Sequence, residues 1–360
     1  MRIIHSMGHV VGGTLLIAGT MIGVGMLALP VTTGSAGFLP SVTMYLISWG
    51  FMLCTGLLLL EVSLWMPKDT SFISMAEHIF GPIGRYMFWI IYLFFFFTIM
   101  VAHAVGGGAV LLDVTGWNVP SGLAIFIYSI VLAPVVYLGA KSVDRLNLFL
   151  ISGVVVSYFA FIGFAADKIH LDLLQKKLRL AIFFGSAIPL IIYLLWELVI
   201  LGIIPTEDLI EAERLGQNAV GPLKQLIPQV FNIGKFFAFF ALTTSFIPLA
   251  LSFFDFMADG LKWEKKGLQR AVLTAAIFGI PMIISIAYPH IFLVSLGYAG
   301  GIFCAFLFGL MPPLLAWIGR YMKNYSALAP PQLPGGKPLL VLLMLFALFI
   351  LGAEIVQNIL

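Results

Sequence analysis

Long unbroken runs of apolar residues alternate with short polar joints along nearly the whole chain. Ten such runs are legible, at about 8–33, 38–65, 86–112, 121–140, 146–166, 180–204, 234–259, 271–288, 291–318 and 338–357. A helix needs about 20 residues to cross a bilayer, so each run predicts one transmembrane helix. None shows the apolar–polar alternation of a barrel strand, and the class predicted is an all-α integral membrane protein. The first run is too long for the apolar core of a secretion signal and others follow closely, so it is read as a retained span. Composition agrees: 61% of the 360 residues are hydrophobic and 10% charged, with a mean hydropathy of +1.08, where a soluble domain carries roughly 25% charge.

The basic residues sit in joints between apolar runs, where they report topology rather than a nucleic-acid surface. If the N-terminus is cytoplasmic and every run crosses once, Lys68, Arg85, Lys141 and Arg145 fall inside, but the total is 8 Lys and Arg inside against 11 outside. If one crossing is missing between Ala166 and Leu180, the total becomes 15 inside and 4 outside. The segment there, ADKIHLDLLQKKLR, is too short and too polar to cross as an ordinary helix. The charges therefore describe two self-consistent halves joined where a span ought to be. The alternative is a frustrated topology in the first half, or a fifth run that lies differently.

Within the first run, GTMIGVGMLALP (Gly19–Pro30) places three glycines and a proline where a helix is expected. Interrupted helices are tolerated in a membrane where the freed backbone groups line a cavity. N–H groups at a half-helix start can hold a carboxylate, and opposing carbonyls a cation. Gly19, Thr20, Met21, Ile22, Gly23 and Gly25 are thus candidate binders of a zwitterion such as an amino acid. The competing reading is a packing face, since Gly19 and Gly23 have small-xxx-small spacing.

The segment VVGGTLLIAGTMIGVGMLALP resembles the first span of the bacterial aromatic amino acid permeases, specific for tyrosine or tryptophan. LLLLEV (Leu57–Val62), GSAIPLIIYLLW (Gly185–Trp196), LTTSFIPLALSFFDFMADGL (Leu242–Leu261) and LGYAGGIF (Leu296–Phe303) resemble later spans, in order, more closely those of the tyrosine-type branch. The resemblance implies the inverted-repeat fold of the amino acid–polyamine–organocation superfamily: two five-helix repeats and an extra terminal helix, eleven spans in all. It implies broken first and sixth helices around a midplane substrate. The implied activity is proton-coupled uptake across the cytoplasmic (inner) membrane, with the proton gradient as energy source and no cofactor. On this pattern residues 8–166 form the first repeat, 180–318 an incomplete second repeat and 338–357 the extra helix. The chain is then a single transporter domain with ten apolar spans, the sixth being absent. A second departure is Gly153, where many relatives carry a lysine.

Ionisable groups inside spans are functional candidates. Glu61 and Asp255 are candidate carriers of the coupling proton, Asp255 also as a gate acid pairing with a basic residue of a neighbouring loop. The competing readings are an interior hydrogen-bonded structural acid for Glu61 and a solvated helix end for Asp255. Thr244 and Ser245 are candidate donors to a cation site, although such hydroxyls commonly bond their own helix. Glu197 is a candidate partner of His103. Gly106–Gly108 lacks the lysine of a phosphate loop and suits close helix approach or room for an aromatic ring. Segment 205–235 is expected to face outward with a short amphipathic helix, and Pro330–Pro338 (PPQLPGGKP) to be a flexible connection. No nucleotide, haem or zinc pattern is present. The partners expected are an aromatic amino acid, protons and the lipid bilayer. The rivals to a working permease are a non-transporting remnant of one and, more distantly, a membrane-embedded enzyme or channel.

Overall fold

The computed structural model describes residues 23–66, 71–165, 188–325 and 331–359, and these are helical throughout, with no strand among the described residues. In chain order the helices are α1 (Val24–Thr33), α2 (Phe38–Leu64), α3 (Phe72–Thr115), α4 (Ser121–Leu138), α5 (Ala140–Ala165), α6 (Ile188–Ile203), α7 (Thr206–Arg214), α8 (Leu223–Leu226), α9 (Pro228–Leu261) and α10 (Gly267–Ala287). Helix α11 (Phe292–Gly297) then passes through a π-helical stretch, Tyr298–Leu310, into α12 (Met311–Tyr321), and α13 (Gly336–Ile359) follows. Among the described residues eight helices are long and apolar enough to cross a membrane, the stretch Phe292–Tyr321 counting as one. A ninth arises if the pair Leu190–Ile203 and Thr206–Arg214, bent by 108°, is one broken span. The runs expected at 38–65, 121–140, 146–166, 234–259, 271–288, 291–318 and 338–357 each appear as such a helix; those at 8–33 and 180–204 fall partly outside the described residues.

Run 86–112 is longer than its apolar pattern suggests. Helix α3 starts at Phe72 and is bent at Gly81, whose φ of 73° and ψ of −165° break the helical geometry. Glycine reaches that conformation without strain, and Pro82 then begins the second part, where its missing N–H costs nothing. The short amphipathic helix expected in 205–235 is α7, which buries Leu209 and Ala212 beneath exposed acids.

The chain forms two compact units, one from Met1–Thr43 with Met100–Val294, the other from Met44–Ile99 with Ser295–Leu360. In the first, α5 packs along α9 and α4 along α10, around an aromatic centre of Phe161, Trp196 and Phe237, whose rings lie 4.9 to 6.5 Å apart. In the second, α13 packs on the π-helical stretch, and Leu58, Val62, Trp65, Leu315 and Leu340 share one core. Many large apolar side chains remain uncovered, as Leu148, Phe149, Val156 and Phe159 do on α5. So much apolar surface would be a liability in water; on helices of this length it suits contact with lipid.

Candidate functional site

The described part of the first run starts at Gly23, the residue before the first turn of α1. Gly19, Thr20, Met21 and Ile22 lie outside the described residues. The start of α1 has no side-chain cap and no acid in its first turn, so the orphan amides and positive end of a helix start are not met by the helix's own side chains. Pro30 lies inside α1 and supplies no N–H to the carbonyl four residues earlier. The next carbonyl, that of Leu27, accepts from outside the helix, from the Ala219 N–H at 2.8 Å.

The two described glycines differ. A Cβ at Gly23 would lie 2.8 Å from both Cβ and Oγ of Ser245, so α1 approaches α9 too closely there for any side chain. Among the described residues, a Cβ at Gly25 would meet nothing within 4 Å. Gly23 thus serves packing, whatever else it does, while Gly25 has no such neighbour among the described residues.

Across from Gly23, Ser245 joins a buried polar group. Its Oγ lies 3.0 Å from His103 Nε2 on α3, and 2.9 and 3.1 Å from the Ala241 and Leu242 carbonyls of its own helix. A hydroxyl has one proton to give; when Ser245 donates to a carbonyl it accepts from the imidazole, and when it donates to the imidazole the carbonyl bond is released. The His103 ring stacks on Phe246 with centroids 5.6 Å apart, and Phe246 stacks on Tyr128 at 5.5 Å. Tyr128 Oη lies 3.2 Å from Thr243 Oγ1. Thr244 donates back to the Ala241 carbonyl at 3.1 Å, the self-bonding common for such residues. The triple glycine explains how the stack fits. A Cβ at Gly107 would fall 2.1 Å from the Tyr128 ring, and one at Gly108 would fall 2.6 Å from Ile125. Both uses expected of Gly106–Gly108, close approach and ring space, are present.

The acids sit elsewhere. Glu61 is fully buried and accepts from Arg320 Nε and Nη2, each at 2.7 Å, and from the Gln332 backbone N–H at 2.7 Å. Arg320 Nη2 also donates to the Leu333 carbonyl at 3.1 Å. The stretch 330–338, expected to be a flexible connection, is therefore tied down at Gln332 and Leu333, because its backbone completes the hydrogen bonding of a buried ion pair. Asp255 accepts from Lys265 Nζ at 2.7 Å, and Asp259 lies 3.2 Å from the same ammonium. Both acids are well exposed. Glu197 Oε1 is 2.6 Å from the Thr33 hydroxyl. A Cβ at Gly153 would press on the Phe240 ring at 2.7 Å, so the position where relatives are expected to carry lysine here leaves room for a phenylalanine.

Sequence reasoning missed Arg320 and Tyr128. Arg320 closes an apolar run and was legible only as a marker of topology; Tyr128 is one of 11 tyrosines. A signal existed for each, namely an acid inside one apolar run and a base just past the end of another, and a Gly-Gly-Gly that has to make room for something large.

The tryptophan/tyrosine permease family model matches residues 7–178 and 172–354. The chain is 25% identical to the tryptophan-specific transport protein of Haemophilus influenzae, with 96% of each chain covered. It is 29% identical to the tyrosine-specific transport system 2 of the same organism, with 94% of each covered, and 26% identical to the low affinity tryptophan permease of Escherichia coli, covering 86% of this chain and 87% of that one. The first of these alignments runs over 403 positions against a chain of 360 residues, so that relative carries residues with no counterpart here. The helices, the glycine-rich first run and this match along nearly the whole length agree: the chain belongs to the tryptophan/tyrosine permease family.

Proposed function

We propose that the chain takes up tyrosine or tryptophan across the bacterial inner membrane in symport with protons. The observation that carries this reading is the start of α1 after Gly23, with no side-chain cap and no neighbour at Gly25 among the described residues. A helix start of that kind attracts a carboxylate. In this reading the amino acid's carboxylate takes the amides from Gly19 to Gly25, and Ser245 and Thr244 contribute hydroxyls to the polar side of the pocket. The coupling proton belongs to Glu61 or Asp255. Each is paired with a cation, and protonating either would remove the charge that holds its partner. The framework is the inverted repeat with ten spans, the sixth missing. Supporting that gap are the charge parity, the family match in two stretches that meet at 172–178 and the greater length of the alignment.

The test is uptake of radiolabelled tyrosine and tryptophan by cells lacking their own carriers, with and without a protonophore. Accumulation that the protonophore abolishes supports the proposal. Gly25→Val is the informative variant, since its Cβ meets no neighbour among the described residues; it should abolish uptake in a protein that still inserts and purifies normally. Gly23→Val is less informative because Ser245 must move. The residues missing relative to longer relatives favour a second reading, a non-transporting remnant, which predicts no more retention than in empty-vector cells.

A further inference from the structure

The first unit holds a second feature with the chemistry of an amino acid site, away from Gly23. A cleft of about 580 Å³ opens between the end of α3, helix α7 and the loops at 215–226 and 289–292, within the size range of small-molecule sites. It is lined by the apolar Ala109, Ile125 and Phe292 and by the charged Asp113, Asp208, Glu211 and Lys224, of which Glu211 is already paired with Arg214 at 2.9 Å. The walls are fixed by close backbone contact. Gly216 has a φ of 64°, and a Cβ there would lie 2.5 Å from the His290 carbonyl oxygen, while His290 Nδ1 lies 3.2 Å from the Leu215 carbonyl oxygen.

Within this set Lys224 and Asp113 form a pair that complements a zwitterion. Lys224 Nζ and Asp113 Oδ1 are 3.7 Å apart, beyond the 2.7–2.9 Å of a tight charge-assisted hydrogen bond and longer than the 2.7 Å pairs at Arg320–Glu61 and Lys265–Asp255. The Lys224 side chain is 65% exposed. An ammonium and a carboxylate held this loosely can exchange partners. A ligand carboxylate takes Lys224, a ligand ammonium takes Asp113, and no buried charge is left alone. The apolar lining residues would receive the ring.

We propose that this cleft is an independent binding site for a zwitterionic aromatic amino acid, held by ion-pair exchange at Lys224 and Asp113. The ligand class rests on the function proposed above; the lining of the cleft includes no residue of α1, although its 215–226 loop is hydrogen-bonded to α1 through Ala219 and Leu27. The experiment uses purified full-length protein in detergent, carrying Cys54→Ala, Cys304→Ala and Gln217→Cys. Gln217 lines the cleft and is exposed. The rate of alkylation of the introduced thiol is measured with increasing tyrosine or tryptophan, then repeated with Gly25→Val added. Either amino acid should slow alkylation, with the same dependence in both backgrounds. Lys224→Met should weaken protection about tenfold or more, as should replacing tyrosine by tyramine or by 3-(4-hydroxyphenyl)propionate, each of which lacks one charge. Absence of protection, protection that vanishes with Gly25→Val, or protection indifferent to Lys224→Met would each overturn the proposal. Protection without cellular uptake would leave the cleft site standing and remove the transport reading alone.

Discussion

Glu61 and Asp255 are both acids in the last turns of an apolar helix, each answering a single cation at 2.7 Å. Their surroundings make them opposites. Glu61 has no exposed surface, and the Arg320 side chain has 6%; a guanidinium fork and a backbone amide occupy its oxygens. Asp255 and Lys265 are 47% and 42% exposed, and Asp259 stands ready as a second acid. The difference teaches that distance alone does not rank an ion pair. Removing one partner of a buried pair strands the other away from water, whereas water itself replaces a lost partner at the surface.

Breaking the buried pair should have the largest effect. Glu61→Ala is expected to cost about 3–5 kcal/mol, read as a sharp fall in the unfolding temperature of the detergent-solubilised protein. The double variant Glu61→Ala, Arg320→Met should recover most of that fall, because it removes the stranded charge. If Glu61→Ala proved as mild as Asp255→Ala, the contrast would be wrong. Arg320→Lys keeps the charge but loses the two-pronged geometry and the link to Leu333; a cost of about 1–3 kcal/mol is expected in the same measurement. At the exposed pair, Asp255→Ala should cost about 0–1 kcal/mol, with Lys265 turning to Asp259.

The smallest effects sharpen the contrast through the solvent. Raising ionic strength from about 0.01 to about 1 M shortens the screening length from about 30 to about 3 Å. The difference between wild type and Asp255→Ala should shrink with it, and that for Glu61→Ala should hold. Burial disfavours the Lys265 ammonium, but the hydrogen bonds and charges of Asp255 and Asp259 outweigh it, so its pKa is raised. A raised lysine pKa gives stability that is complete below the ordinary lysine value, about 10.4, and lost as pH climbs past it. The Asp255→Ala difference should therefore stay flat from about pH 7 to 10 and fade only above.

The glycines show how far the candidate site could be read in advance. A weak stretch for a helix between Gly19 and Pro30 was legible, because three glycines and a proline inside an apolar run disfavour a continuous helix. That Gly23 abuts Ser245 while Gly25 has no such neighbour among the described residues was not legible, since it depends on where α9 passes. Likewise Ser245 and His103 were each visible, but their 3.0 Å contact joins residues 142 positions apart. The linker 330–338 misled for the same reason. Its Pro and Gly content describes an unattached segment, and only a buried acid on α2 gives its backbone something to hold.

The sequence by itself determined the membrane class, the helical secondary structure, most of the apolar helices and the family. These follow from local quantities: apolar run length against bilayer thickness, glycine and proline against helix geometry, and the order of motifs along the chain. Only the tertiary structure decided which acid is sealed with Arg320 and which stays in solvent, which glycine packs against a neighbour and which meets none among the described residues, and that Asp113 and Lys224 face one cleft. Those outcomes are set by contacts between residues far apart in the chain, and burial, the quantity that fixes the strength of a charge, exists only once the helices are packed.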